Sequence, residues 1–319
     1  MGAGGNKQIK TARPAHFASI LSKIKTTITV QKLAKIQKLP VLQMMNAMQE
    51  LGSMELENMD SIEKLCNMEV AFLLRHIKPN TVASTITEYR RVLDSKGFKY
   101  HPYQLYFKMP YELMAERKAT YQAAVMAENK ALRPFRNTSG YIDMAKKLML
   151  SKKSYIRVAI GLCAATGRRP SEILITAKFK KTGKYSAVFS GQLKTKDSEL
   201  SQDNYDIPLL CPADDVIDAI TRLRIKRDFL GLPVPLGKTL AQAVNGRTAK
   251  AQSECVKTYF NAFIDNPHAY NLRAVYAMIC SEKNKPADMT QQAYIASILG
   301  HSENDSTTAA SYLDFYIKE

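Results

Sequence analysis

The chain has 319 residues, 45% of them hydrophobic and 24% charged, which is typical of a folded protein with room for two domains. Its 46 lysines and arginines exceed its 29 acidic residues, and the net charge of +17 favours a polyanionic partner over a surface that is merely well solvated. Five scattered cysteines argue against a secreted disulfide scaffold. No apolar run approaches the ~20 residues of a membrane span, and the N-terminus lacks the apolar segment of a signal peptide. We therefore expect neither a membrane protein nor an exported one.

The positive charge is concentrated in the first 49 residues, which contain eight basic residues and no acidic one. Residues 1–12 include a glycine-containing tail that we expect to be disordered. Apolar residues then recur at helical spacing between lysines over 17–39. Such a helix fits a DNA surface or a membrane surface. Because Phe17 is its only aromatic anchor, the pattern favours DNA.

Helical periodicity continues through the rest of the first half. It predicts helices over 41–51, 61–77, 80–96 and 111–132. The turn formers and arginines that follow, among them Arg133 and Arg136, indicate a linker. We place a domain boundary there, between a helical N-terminal DNA-binding domain of residues 1–137 and a second domain of residues 138–319.

The second half combines helices with a short β region. Helices are predicted over 141–150 and 155–165, and strands over 185–189 and 204–210. The polar loop between the two strands carries Lys194 and Lys196. Further helices are predicted over 212–230, 247–263, 271–281, 290–299 and 305–317. The predicted fold class is therefore mainly α with a small antiparallel β-sheet.

A tight turn presents two adjacent arginines at the start of a helix. Gly167 permits the turn and Pro170 opens the helix. Arg168 and Arg169 therefore lie where backbone N–H groups also point, and this combination makes a strong anion site. Glu172 lies three residues after Arg169, close enough on a helix to hold its guanidinium. A loop whose arginines only face solvent is the alternative.

Three further segments carry side chains suited to phosphate chemistry. Lys194 lies in the predicted hairpin loop, where a lysine is more often simply solvated. Arg273 interrupts an apolar helical stretch, and because an unpaired buried guanidinium is costly, we expect it to contact an anion or a carboxylate. His301 follows Gly300, and Tyr312 lies eleven residues after the histidine. A helix cap and a core tyrosine are the alternatives for these two.

In this order, these residues resemble the tyrosine recombinase family of DNA-breaking and rejoining enzymes. That family carries an arginine in a Thr-Gly-x-Arg-x-x-Glu turn, a lysine in a β-hairpin, a second arginine on a helix, a Leu-Gly-His segment and a tyrosine nucleophile near the C-terminus. The resemblance spans about residues 165–313, where these positions hold Arg169, Lys194, Arg273, His301 and Tyr312. Residues 78–97 also resemble, more weakly, the helical core-binding domain of the family.

Two features are similar to the telomere resolvase branch of that family. The position three residues before the second arginine holds Tyr270 in place of the usual histidine. The interval between His301 and Tyr312 is two residues longer than usual. The segments 166–169, 183–194 and 273–277 also resemble this branch more than they resemble integrases.

The resemblance implies an enzyme that cuts DNA by transesterification, with a tyrosine-recombinase-like catalytic domain and with no cofactor or metal. Tyr312 is the implied nucleophile, and because a phenol has a pKa of about 10, its proton must leave as it attacks. Arg169 and Arg273 are the implied clamp on the phosphate oxygens, since a guanidinium offers a planar fork of donors that stays charged.

The remaining site residues have supporting roles in this scheme. His301 is expected to donate to the same oxygens or to accept the tyrosine proton, and Tyr270 to donate a neutral hydrogen bond. Lys194 is the expected general acid for the leaving 5′-oxygen. The residues expected to contact DNA outside the catalytic set are Arg168, Lys196, Arg133 and Arg136.

The implied substrate is double-stranded DNA with an inverted repeat, bound by a homodimer inside a bacterial or phage-infected cell. The implied products are two DNA ends closed into hairpins. Two alternatives stay open: an integrase that joins two separate duplexes, and a DNA-binding protein without activity. No catalytic position of the family is vacant in this chain, which argues against the last.

Overall fold

A computed structural model describes residues 59–95, 106–130, 132–193, 204–235, 238–301 and 312–318. The tail of residues 1–12, the predicted helices over 17–39 and 41–51, and both Lys194 and Lys196 lie outside these residues. The chain divides into two compact units, Met1–Thr120 with Val234–Thr239 and Tyr121–Pro233 with Leu240–Glu319. The domain boundary after residue 137 stays a prediction.

The first unit contains two packed helices, α1 (Met59–His76) and α2 (Pro79–Ser95). The periodicity of the sequence predicts both, with bounds that differ by no more than two residues. Tyr89 is fully buried, and its hydroxyl donates to Oε1 of the buried Glu69 at 3.0 Å. Phe107 packs edge-on against the Tyr89 ring, with 5.8 Å between the centroids. An aromatic core with one satisfied polar pair therefore joins the helices.

Helix α3 (Tyr111–Lys130) leads to a strand where the sequence predicts a linker. Arg133–Arg136 form β1, which pairs in parallel with the last strand, β5 (Phe315–Lys318). Phe135 is fully buried in this strand, so the linker prediction is wrong for these four residues. The pairing partner lies far away in the chain, which is why local turn signals mislead here. Helix α4 (Thr138–Met149) follows, capped by the Asn137 side chain, which accepts from Gly140 N at 2.9 Å.

The second unit is built around α5 (Tyr155–Thr166), which is apolar on almost every side and therefore buried. The helices that pack on it are α4, α6 (Pro170–Ile175), α7 (Ala213–Lys226), α8 (Leu240–Phe260) and α9 (Ala269–Asn284). The turn that follows the C-terminal end of α5 lies close to α9, since Arg273 Nη1 donates to Gly167 O.

A three-stranded antiparallel sheet covers one side of this core. Its order is β2 (Lys178–Gly183), β3 (Ser186–Ser190), β4 (Asn204–Pro208). The sequence predicts β3 and β4 but not β2, whose lysine-rich residues lie on an exposed edge. Alternation directs Phe189 and Tyr205, which are cross-strand partners, to the buried face. The fold class predicted from the sequence, mainly α with a small antiparallel sheet, is confirmed.

The C-terminal segment corrects one predicted helix. After α10 (Gln291–Leu299), residues 305–317 are predicted to be helical, but Tyr312 lies in a turn and Phe315–Lys318 form β5. Phe315 is buried and pairs with β1, so tertiary packing overrides the local helical pattern. Within the described ranges, each helix is too short or too polar to cross a bilayer.

Candidate active site

Arg168 and Arg169 lie in the turn between α5 and α6. Gly167 ends α5 in the left-handed region, with φ of 66°, and a Cβ at this position would collide with the ring of Tyr276. Pro170 is the first residue of α6, as the sequence predicts. The turn therefore gives Arg168 and Arg169 fixed and different directions.

Arg169 is held by Glu172 one turn further along α6. Its Nη1 donates to Glu172 Oε1 at 2.7 Å, and its backbone N donates to Oε2 at 3.0 Å. The Glu172 side chain is almost completely buried, whereas that of Arg169 is 20% exposed. Burial alone raises the pKa of Glu172, but the charges of Arg273, Arg169 and Arg168 outweigh it and lower that pKa below 4.5. The predicted contact between Glu172 and Arg169 is present.

Arg168 has no surface on which to bind DNA. It is 1% exposed, and its Nε and Nη2 donate to Thr166 O at 3.1 Å and to Ile298 O at 2.7 Å. Its Nη1 donates to the Tyr205 hydroxyl, and its guanidinium lies 4.8 Å from the centroid of the Phe189 ring. The structure does not support the prediction that Arg168 contacts DNA. All three nitrogens of this guanidinium donate within the protein, so Arg168 stabilises the position of the neighbouring site residues.

Arg273 enters the same region from α9. It is 3% exposed, and Nη1 and Nη2 donate to Gly167 O at 2.5 Å and to Leu299 O at 2.9 Å. Its Nε is buried without a hydrogen-bond partner among the described residues. Burial and the charges of Arg168 and Arg169 lower the pKa of Arg273. Two of its hydrogen bonds therefore go to backbone carbonyls, while its charge also acts on the Glu172 carboxylate and on Tyr312, to which it donates a hydrogen bond.

His301 is presented by the C-terminal end of α10. Gly300 caps this helix in the left-handed region, with φ of 67°, and the backbone N of His301 donates to Ala296 O at 2.9 Å. The Leu-Gly-His segment of the sequence is therefore a helix cap. Two buried arginines hold this cap, because Arg168 donates to Ile298 O and Arg273 donates to Leu299 O.

Tyr312 lies at the centre of the predicted catalytic residues. It is 3% exposed, its ring stacks on Tyr270 with 5.1 Å between centroids, and the His301 ring lies 5.5 Å away. Burial raises the pKa of Tyr312, but the charges of Arg273 and Arg169, with hydrogen bonds from Arg273 and Tyr270, shift that pKa below 10 in total. A tyrosine in this setting gives up its proton more readily than a free phenol.

The structure thus brings together five of the six predicted catalytic residues: Arg169, Tyr270, Arg273, His301 and Tyr312. Lys194 lies outside the described residues, as does Lys196. The two other arginines predicted to bind DNA lie on β1. Arg133 lies 3.7 Å from Asp314 and over the ring of Phe315, and Arg136 pairs with Asp265 at 3.1 Å. Both arginine side chains are more than 40% exposed.

The described residues of the site carry an excess of positive charge. Three guanidiniums, those of Arg168, Arg169 and Arg273, act on the carboxylate of Glu172, so positive charges outnumber negative ones among these four side chains. Buried charge is costly unless it is paired, so the site is suited to an anion such as a phosphate. Among the described residues, no group of His, Cys, Asp or Glu is arranged to hold a metal ion.

Two polar residues near this site, Gln192 and Tyr205, are not among the predicted site residues, although Gln192 lies in the segment 183–194 that resembles telomere resolvases. Tyr205 has 8% exposure, and its hydroxyl donates to Gln192 Oε1 at 2.6 Å. The signal that could have found it is the alternation of β4, which directs Tyr205 and Ile207 to the same buried face. A buried tyrosine needs a hydrogen-bond partner, and that requirement points to a polar cluster.

Comparisons with known proteins identify the family to which this chain is similar. The model of the telomere resolvase ResT/TelK catalytic domain matches residues 133–315, more than half of the chain. The protelomerase of Escherichia phage N15 is 33% identical over 171 residues, which cover 50% of this chain and 26% of that protein. The telomere resolvase ResT of Borreliella burgdorferi is 24% identical over 178 residues, or 55% of this chain and 38% of ResT. The chain thus spans well under half of the length of these relatives.

A solved structure shares the fold over a longer stretch. The protelomerase TelA, solved covalently complexed with substrate DNA, superposes with a TM-score of 0.72 over 94% of each chain, at 23% sequence identity.

Proposed function

This chain belongs to the ResT/TelK telomere resolvase family, and on that premise we propose that it cuts and rejoins DNA through a 3′-phosphotyrosyl link to Tyr312. The products are DNA ends closed into hairpins. The observation that carries this proposal is the position of Tyr312: its ring lies against the buried guanidinium of Arg273, and the charges of Arg273 and Arg169 outweigh the effect of burial and lower its pKa. A nucleophile and an anion clamp at one position are what phosphoryl transfer requires.

The first step is attack by the Tyr312 oxygen on a phosphodiester. A P–O bond to the tyrosine forms and the P–O5′ bond breaks, which leaves a 5′-hydroxyl and a 3′-phosphotyrosine. The ring of His301, 5.5 Å from that of Tyr312, is placed to take the tyrosine proton or to donate to a phosphate oxygen. Lys194 stays the proposed general acid for the 5′-oxygen on the basis of its position in the sequence.

The difficulty of the reaction is the negative charge that builds on the non-bridging oxygens. Arg169 and Arg273 suit that charge because each is already fixed, the first by Glu172 and the second by two backbone carbonyls. Preorganised donors cost no reorganisation when the charge develops. Tyr270, stacked on Tyr312 and 42% exposed, can add a neutral hydrogen bond from the open side.

The second step reverses the first with a different 5′-hydroxyl. Because the energy of the broken bond is kept in the phosphotyrosyl link, no nucleotide hydrolysis is needed. In hairpin formation the hydroxyl comes from the opposite strand of the same duplex end. An inverted repeat has two-fold symmetry, so we propose that two copies of the chain bind it, one for each strand.

The rest of the chain supplies the grip on DNA in this proposal. The net charge of +17 gives strong attraction to phosphates that salt weakens. The proposed division assigns residues 1–137 to DNA binding and residues 138–319 to catalysis. Arg133 and Arg136, with more than 40% of each side chain exposed, remain proposed DNA contacts.

The test uses the full chain and an inverted-repeat duplex selected for binding from a randomised pool. After incubation, a denaturing gel separates hairpin ends from cut strands and from recombined duplexes. The proposal predicts two fragments that renature instantly after melting because their strands are covalently joined. Products in which strands of two differently labelled duplexes are exchanged indicate an integrase. Binding without any covalent product indicates a DNA-binding protein without this activity.

A further inference from the structure

A continuous set of hydrogen bonds runs from a buried arginine to the residue before His301. Arg168 Nη1 donates to the Tyr205 hydroxyl, which donates to Gln192 Oε1 at 2.6 Å. Gln192 Nε2 then donates to Gly300 O at 2.8 Å. The four residues come from a turn, a strand, a loop and a helix cap. We call these three hydrogen bonds the relay. Through Gln192, which follows β3, the relay joins the end of β3 to the end of α10.

The chemistry of the two ends fixes the direction of every bond in the relay. A guanidinium can only donate, so the Tyr205 oxygen accepts from Arg168 and its hydrogen must point to Gln192. A backbone carbonyl can only accept, so the amide nitrogen of Gln192 must face Gly300. Burial raises the pKa of Tyr205, which keeps its hydroxyl protonated and able to donate. Each group therefore has one orientation that satisfies all its neighbours.

The last three carbonyls at the end of α10 each accept a hydrogen bond from a side chain, and the relay supplies the third of these bonds. Ile298 O accepts from Arg168, Leu299 O from Arg273, and Gly300 O from Gln192. Carbonyls at a helix C-terminus have no partners within the helix, so these side chains replace the missing ones. A Cβ at Gly300 would collide with Gln192 Oε1 and the Tyr205 hydroxyl, which shows how closely the relay packs on the cap.

We propose that Tyr205 and Gln192 are positioning residues that set the place of His301 relative to Tyr312. The inference rests on the proposed function, because it gives His301 a role in the reaction at Tyr312. Gln192 holds the carbonyl of Gly300 and Tyr205 holds Gln192, so each acts through the Gly300–His301 backbone. A misplaced catalytic group slows the chemical step while leaving substrate affinity unchanged.

Tyr205→Phe removes the central hydroxyl and keeps the ring, which packs edge-on against Phe189 at 5.5 Å. Gln192→Leu removes the amide oxygen that accepts from Tyr205 and the amide nitrogen that donates to Gly300 O, with little change in side-chain volume. Each variant is expected to slow single-turnover formation of the covalent DNA adduct by about 10- to 100-fold, with an unchanged Kd for DNA. The matched control is Tyr155→Phe, a partly buried tyrosine at the opposite end of α5 from Gly167, whose ring packs against Phe229 with 6.0 Å between centroids. Its adduct should form at the wild-type rate.

Two combinations separate positioning from a general structural effect. Because both residues belong to one relay, the double variant should be no slower than the slower single variant. In a His301→Ala background, Tyr205→Phe should cause no further loss of rate. If the losses multiply in either combination, or if Kd rises in step with the loss of rate, the proposal is overturned.

A measurement without DNA keeps this test independent of the proposed function. The imidazole Cε1–H signal of His301, one of five histidines in the chain, is followed by NMR in each variant. Tyr205→Phe and Gln192→Leu should both move this signal, and Tyr155→Phe should leave it in place. An unchanged His301 signal in the first two variants overturns the positioning role. A wild-type chain that forms no DNA adduct overturns the proposed function instead, whatever the NMR result.

Discussion

The guanidinium of Arg273 lies over the ring of Tyr312, with 5.3 Å between Arg273 Cζ and the ring centroid. A cation above an aromatic face is attracted to it, and it stabilises a phenolate more than a phenol. Because Arg273 is also anchored to Gly167 O and Leu299 O, this relationship does not depend on a flexible side chain. Backbone carbonyls therefore fix the position of the Arg273 charge, which lowers the pKa of Tyr312.

The first prediction concerns the pH dependence of cleavage. Since the pKa of Tyr312 is lowered, the single-turnover rate should rise with pH and level off below pH 10. Arg273→Ala removes the largest cause that lowers this pKa, so the midpoint of the profile should move to higher pH. The measurement is the rate of adduct formation between pH 6 and pH 10, with DNA binding checked at each pH. An identical midpoint in both proteins would show that Arg273 does not control ionisation of the tyrosine.

The second prediction concerns the phosphate clamp. Arg169→Ala and Arg273→Ala should each lower the cleavage rate by about 10²- to 10³-fold, because each removes a preorganised donor to the developing charge. Arg222→Ala is a matched control, since Arg222 pairs with Asp218 at 2.7 Å on α7 and lies outside the site. Its rate should stay near the wild-type value. Near-normal cleavage by either of the first two variants would remove that arginine from the clamp.

The third prediction concerns stability. Glu172→Gln leaves three guanidiniums without their carboxylate, so the free energy of unfolding should fall by about 3 kcal/mol in urea denaturation. Asp218→Asn, which removes one partner of an exposed pair, should cost less than about 1 kcal/mol. The pKa of Glu172 is lowered on folding, so its contribution is complete above the ordinary carboxyl pKa of 4.5.

That contribution is then lost as the pH falls further through the folded-state pKa. The wild-type protein should therefore lose stability below pH 4.5 more steeply than Glu172→Gln does. Parallel losses in the two proteins would mean that the carboxylate is not the group that titrates.

The fourth prediction separates the two adjacent arginines. Arg168→Gln should destabilise the fold, since Arg168 is buried and donates to Thr166, Tyr205 and Ile298. It should leave unchanged the slope of log Kd for DNA against log salt concentration, because all three guanidinium nitrogens of Arg168 already donate within the protein and none is left for a phosphate. A slope whose magnitude falls by about one would show that Arg168 contacts a DNA phosphate, as the sequence predicts.

The sequence predicts most helices and the residues of the site, because both depend on local patterns. Helical periodicity gives the bounds of α1 and α2 within two residues, and short motifs point to Arg169, Arg273, His301 and Tyr312. Which of two neighbouring arginines faces the core depends on the phi and psi angles at Gly167, and the residue types do not reveal this. Arg168 is for that reason misassigned to DNA.

The pairing of β1 with β5 is the other feature that local signals miss. Arg133–Arg136 contain a proline and two arginines, and they form a strand only because Phe315–Lys318 lie beside them. Phe135 and Phe315 are both buried, so the free energy of burying these rings favours the strands over the turn and helix that each segment alone predicts. Pairing between segments so distant in the chain has no signature in either one.

The central claim is that Tyr312 forms the covalent bond to DNA. The most direct measurement traps the adduct on an inverted-repeat duplex, digests the protein and locates the nucleotide-bearing residue by mass spectrometry. The account predicts phosphate on Tyr312, no adduct in Tyr312→Phe, and a normal adduct in Tyr316→Phe, which alters an exposed tyrosine of β5. An adduct on any other residue, or one that persists in Tyr312→Phe, would contradict it.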